Sequence, residues 1–224
     1  MRFLEHSGLN RLSVLLSNLD VGDRILNGRI ELFTCSEKVV EECDLCERVD
    51  REVCVSPQWI SNSPIGPVQR QDVRELLVNL ISTMNQCFPD YEFSLIKPDN
   101  LFKEKSFSIV YNNINYHLSS IVERIYPSFL LELWENIRDA VEIKYTEIYS
   151  YRLMGNDELS PFLDDGSLFS FDYFFYDTKS QKILFFACTT KSKLNIGFTD
   201  NDLESSEESI EDDEIESEKI FINL

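Results

Sequence analysis

The chain has few of the residues and runs that common functions need. Its 224 residues include two histidines and seven glycines, and its longest unbroken apolar run, Ile183 to Cys188, is six residues. A bilayer-spanning helix needs about 20 apolar residues, and the opening Met1-Arg2-Phe3-Leu4-Glu5-His6 has no apolar signal core. A soluble, intracellular chain with no membrane contact is therefore expected. The patterns GxGxxG, GxxxxGK[ST], HExxH and GxSxG are all missing, which removes the usual starting geometry for nucleotide binding, zinc proteolysis and serine hydrolysis. His117 falls one position off an apolar helical stripe, and Cys188 lies among aromatic and aliphatic strand residues, where a thiol packs as a small hydrophobe. No enzyme, catalytic residue or cofactor is expected.

Positive charge is scarce as well. Forty Asp and Glu against 21 Lys and Arg give a net charge of −19. Residues 200–218 hold 11 acids and no base; with Lys219, residues 200–224 carry −10, leaving 29 acids and 20 bases, a net −9, for 1–199. Even the folded part should repel a phosphate backbone, so direct nucleic-acid binding is not expected and basic protein surfaces are the natural partners.

What is present is an ordinary globular composition, 43% hydrophobic and 27% charged. Amphipathic helices are predicted where Ser7 caps the stripe Leu9, Leu12, Leu16, Leu19, and where Asp72-x-x-Glu75 opens the stripe Val73, Leu76, Leu77, Leu80, Ile81, Met84. A third stripe runs Phe107, Val110, Tyr111, Ile114, Leu118, Ile121, Val122, and a fourth, with Pro127 in its first turn, runs Leu130, Leu133, Trp134, Ile137, Val141. Strands are predicted at 24–34, from the alternation Leu26, Gly28, Ile30, Leu32, and at 145–151. Two more, 169–176 and 182–189, are joined by the polar Asp177-Thr178-Lys179-Ser180-Gln181 and should form an antiparallel hairpin. Both are apolar on nearly every residue, as central strands covered on both faces would be.

The fold class expected is α+β: a single domain over 1–199 with a central antiparallel sheet layered with helices, a flexible insertion at 36–71 and an acidic disordered tail at 200–224. Removing 37–70 should then preserve cooperative unfolding. Cys35, Cys43, Cys46 and Cys54 form a mirror-symmetric spacing whose inner pair could bite zinc, but there is no second close pair, so reduced thiols and no metal are expected.

The densest block is Ser160-Pro161-Phe162-Leu163-Asp164-Asp165-Gly166-Ser167-Leu168-Phe169-Ser170-Phe171-Asp172-Tyr173-Phe174-Phe175-Tyr176. By itself it reads as a loop, an acidic turn and a buried strand. It resembles the Pro-Phe-x-(Glu/Asp)-Asp-Gly-Ser-Leu-Trp-Ser-Phe-Asn-Tyr-Phe-Phe-Tyr block of the Maf family of negative regulators of RNA polymerase III, with Phe169 in place of the family's Trp and Asp172 in place of its Asn. Gly28-Arg29-Ile30-Glu31-Leu32-Phe33-Thr34-Cys35, Pro89-Asp90-Tyr91-Glu92-Phe93-Ser94, Ile148-Tyr149-Ser150-Tyr151 and the strand containing Ile183, Phe185 and Phe186 are similar to the family in the same order.

The resemblance implies a non-enzymatic repressor that binds RNA polymerase III, blocks engagement of its initiation factor, answers to nutrient-responsive kinases and moves between nucleus and cytoplasm. A monomer is expected. Partner contact is assigned to Asp164, Asp165 and Asp172. Regulatory phosphorylation is assigned to Ser56 and Ser63, which precede proline, and to Ser205 and Ser209, which have acids three residues on. No basic cluster resembles a nuclear import signal, and no Arg-Arg-x-Ser site is present. Two rival readings stand beside this one: a metal- or redox-responsive module using Cys35 to Cys54, and an acidic chaperone of basic proteins using the tail.

Overall fold

Strands that are apolar on both sides need cover on both sides, and the architecture follows from that requirement. In the computed structural model, which describes residues 1–36, 40–55, 63–94, 96–152, 161–162 and 167–193, the elements run β1 (Arg2–Phe3), α1 (Ser7–Leu16), β2 (Leu19–Asp20), β3 (Arg24–Thr34), α2 (Val40–Val55), α3 (Gln71–Cys87), β4 (Leu101–Lys103), α4 (Phe107–Ser119), α5 (Val122–Ile125), α6 (Phe129–Ala140), β5 (Thr146–Tyr151), β6 (Ser167–Asp177) and β7 (Lys182–Ser192). One antiparallel sheet has the order β1-β3-β7-β6-β5-β4, with β2 also on β3. The expected α+β fold is present.

Alternation along β6 and β7 divides the interior into two cores. Phe171, Tyr173 and Phe175 with Leu184, Phe186 and Cys188 meet Leu26 and Ile30 of β3 under α1, α4 and α6. On the other face, Phe174, Ile183 and Phe185 join Phe33 under α2 and α3. Helix α1 lies so close to β3 that a Cβ added at Gly28 would sit 2.7 Å from the Cβ of Leu16.

Three local expectations are corrected. Helix α1 is capped by His6, not Ser7: its Nδ1 accepts the Leu9 N–H at 3.2 Å while Nε2 meets Asp139 of α6 at 3.0 Å. Pro127 precedes α6 instead of entering its first turn, because Ser128, at φ 72°, takes the cap position. The third correction concerns residues 36–71, read as an insertion outside the core. They contain helix α2, whose Leu45 and Val49 are buried with the α3 stripe, and Ile65 and Val68 are buried too. Asp50 pairs with Arg74 of α3 at 2.7 Å. A sparse i, i+4 apolar pair among charges suffices for a helix that covers only part of a sheet face. The acidic tail lies outside the described residues.

Three stability outcomes follow. Leu45→Ala should cost roughly 2–5 kcal/mol by leaving a cavity, and excision of 37–70 should lower the urea midpoint for the same reason. Gly28→Ala should cost roughly 1–3 kcal/mol by overpacking Leu16. Equilibrium urea denaturation measures all three; a wild-type midpoint for the excision variant would return α2 to the status of an appendage.

Candidate functional site

The segments that carried the resemblance are far apart in sequence and meet at one side of the sheet. Phe88, just past α3, is the hub: its ring centroid lies 5.3 Å from that of Phe162 and 6.0 Å from that of Phe185, both edge-on, and the Arg29 guanidinium sits 5.0 Å over it. Phe93 contacts Phe88 and Tyr151, and Tyr151 contacts Phe162, each at about 6 Å between centroids. Edge-to-face pairs at this spacing each add about 0.5–1.5 kcal/mol beyond area burial. The Pro89–Ser94 segment is tied down by the Phe93 N–H on Asn85 Oδ1 at 3.1 Å and by a hydrogen bond from Arg48 of α2 to the Ser94 carbonyl.

Next to this cluster lies Asp172. The β5–β6 ladder ends at Tyr149↔Phe174, and the Asp172 carboxylate then accepts the Tyr151 N–H at 2.6 Å, replacing the ladder bond the strands would otherwise make. Burial pushes its carboxyl up to about 7; the Tyr151 N–H and Arg152 pull it down, and Glu104 pushes it further up. Glu104 in turn accepts from Ser150 Oγ at 2.6 Å and pairs with Arg152 at 3.4 Å.

The turn between β6 and β7 uses the opposite electrostatics. Burial works against the Asp177 carboxylate, but hydrogen bonds from Ser180 Oγ (2.8 Å) and from the Glu142, Lys179 and Ser180 N–H groups hold it below the usual carboxylate range.

Of the residues assigned to function from sequence, Asp164, Asp165, Ser56, Ser205 and Ser209 lie outside the described residues. Asp172 is placed in the interior, 7% exposed, so its carboxylate reaches a partner only through a cleft. Ser63 is buried, its Oγ accepting the Ile65 N–H, and a kinase would need the turn to open. Glu104 and Arg152 were not singled out from sequence; no short-range signal marks them, because both meet Asp172 only through the pairing of β5 with β4.

Cys43 is exposed and Cys46 half-buried one helical turn apart on α2, whereas burial and the nearby Glu42 push the Cys35 thiol up to about 12. No group of three or more His, Cys, Asp or Glu stands in metal-holding geometry among the described residues. None of their helices is long and apolar enough to cross a membrane.

A family model described as Maf1 regulator matches residues 26–187, which span the sheet core, the aromatic cluster and Asp172. The chain belongs to the Maf1 regulator family. Among its relatives, a repressor of RNA polymerase III transcription from Dictyostelium discoideum is 29% identical over 244 aligned positions, covering 88% of this chain and 87% of the relative. The fission yeast Schizosaccharomyces pombe protein of the same description is 26% identical, covering 83% and 81%. The fold matches the crystal structure of citrus MAF1 with a TM-score of 0.63 at 22% identity, over 83% of this chain and 99% of that one. These relatives are transcription repressors, not enzymes.

The Asp172 geometry sets a pH dependence. Its folded-state pKa lies above the roughly 3.9 of an unfolded aspartate, so the folded state holds the proton more tightly. That contribution is fully present below about pH 4 and is lost as pH rises through about 7, with a slope of at most about 1.4 kcal/mol per pH unit. Asp172→Asn keeps an acceptor for the Tyr151 N–H and should flatten this part of the curve. Urea denaturation of both proteins between pH 5 and 8 tests it; parallel curves would show that Asp172 ionises normally.

Proposed function

We propose that this chain represses RNA polymerase III transcription by binding the polymerase and hindering engagement of its initiation factor, without catalysis and without contacting nucleic acid. The observation that carries the reading is the family match over 26–187, which includes the sheet and the aromatic cluster that orders its flanking segments. The charge supports it: net −9 over residues 1–199 disfavours DNA and favours a basic protein surface. Action in the nucleus, with passage through the cytoplasm, and control by nutrient-responsive kinases belong to the same proposal. Ser56, Ser205 and Ser209 are the proposed phosphoacceptors; Ser63 would serve only after its turn opens.

The Asp164-Asp165-Gly166 segment, which precedes β6 in the sequence, is the proposed acidic contact. Reversing both charges, Asp164→Lys with Asp165→Lys, should change stability by no more than about 0.5 kcal/mol if the turn is solvated. The same variant should recover much less RNA polymerase III on affinity purification and repress a purified transcription system more weakly. Wild-type recovery by the variant would move the contact surface elsewhere, and failure of the unaltered protein to recover polymerase would overturn the functional reading.

A further inference from the structure

Strands β5 and β6 part company in the middle of the sheet. They pair from Thr146↔Asp177 to Tyr149↔Phe174; beyond that point β5 pairs with β4, Phe102↔Ser150 and Leu101↔Tyr151, while β6 continues along β7 as far as Ser167. The fork encloses a cleft of about 340 Å³ whose polar lining includes Glu104, Asn113, Ser150, Arg152, Asp172 and Tyr173. Among the described residues, the run of β6 from Ser167 to Tyr173 has a strand neighbour on its β7 side only. An open strand edge is where an extended peptide adds by main-chain hydrogen bonds.

The charges in the fork are unequal. Asp172 is 93% removed from solvent, and the Tyr151 N–H is the one donor its carboxylate meets among the described residues. Glu104, its side chain 14% exposed, faces the same cleft from the β4–α4 connection. Among the described residues, one guanidinium stands against these two acids, that of Arg152, which is 57% exposed and leans over the Phe102 ring at 4.5 Å. The Tyr173 hydroxyl is held by Asn113 Nδ2 at 2.8 Å and adds no charge. A carboxylate taken out of water with one hydrogen bond is costly unless a cation joins it.

We propose that the fork between β5 and β6 is a subsite for one lysine or arginine side chain of the partner protein, delivered on an extended segment that adds along the open edge of β6. The proposal rests on the reading of the chain as a protein-binding repressor and names the chemistry of what it binds. A cation in the fork favours the ionised form of Asp172. Binding near neutrality therefore expels a proton, and affinity rises with pH as that carboxyl ionises. Among the described residues, Glu104, Arg152, Tyr173 and the Tyr151 N–H are the charged, titratable and donating groups that face Asp172 from β6, the end of β5 and the β4–α4 connection, so Glu104→Gln should act in the same direction as Asp172→Asn.

The test uses the full chain and two probes. The first is a blocked peptide, acetyl-Thr-Val-Arg-Val-Thr-amide, beside its Gln-for-Arg counterpart, followed by amide NMR shifts and by affinity from pH 6 to 8. The expected result is movement of the Tyr151 and Asp172 amides with the arginine peptide, affinity rising with pH, and a loss of about tenfold in Asp172→Asn and Glu104→Gln. The second is purified RNA polymerase III, whose affinity should fall by a similar factor in both variants. Equal affinity of wild type and both variants for the arginine peptide, or equal response to the two peptides, overturns the fork as a cation subsite. Polymerase binding that is normal in wild type and unchanged in both variants overturns its role in the complex while leaving the repressor reading intact. Fork binding of the arginine peptide in a protein that does not recover polymerase supports the subsite and sinks the functional reading. Urea midpoints of the variants, measured in parallel, separate lost binding from lost folding.

Discussion

Both central strands have to be dry on two sides at once. Phe174 and Phe175 are adjacent in sequence and point to opposite faces of the sheet, and so do Phe185 and Phe186; all four are fully buried. No single layer of helices can shelter such a hairpin, so the chain must supply a layer on each face. Helices α1, α4 and α6 form one, and α2 with α3 the other. The contributions are unequal in length, which explains why α2 is part of the structure: without Leu45 and Val49 the second layer would be left to α3 and its flanking segments.

Two apolar faces create a register problem. On an amphipathic strand a one-residue slip throws the apolar set into water, but here a slip exchanges one buried face for the other and the hydrophobic penalty is weak. Register must be fixed by features that tolerate only one alignment. The Asp177 carboxylate, satisfied by donors from the turn and from Glu142, is one such feature, because it holds the hairpin at Asp177↔Lys182. Gly28 is another, since only a residue without a side chain admits Leu16 at that point of β3. Polar satisfaction and close fit thus specify what hydrophobicity leaves degenerate.

The hairpin, β3, β5 and the cores of four helices were readable from periodicity because each carries its signal within a dozen residues, as with Leu26, Gly28, Ile30 and Leu32. Helix α2 was not, since its apolar residues are few and charged residues surround them. The cap on α1 was displaced by one residue because His6 serves α1 and Asp139 together, a tertiary arrangement that local propensity does not contain. The aromatic hub and the Asp172 fork are further from reach. Each is closed by contacts between residues far apart in sequence, Phe88 with Phe162 and Glu104 with Arg152, 48 positions on, and neither contact leaves a local pattern.

The pairing of β3 with β7 has a consequence during synthesis. Gly28 lies opposite Cys188, so the widest ladder in the sheet joins segments that are made far apart in the order of synthesis. While a ribosome is still adding residues 35–180, β3 has only the short β1 and β2 to pair with, and the apolar face it shares with α1 lacks most of its cover. Such a topology delays completion of the sheet until the β6–β7 hairpin has left the exit tunnel, and it closes over a long loop at low rate. The nascent protein is for that interval a natural client for cellular factors that shield exposed apolar strands.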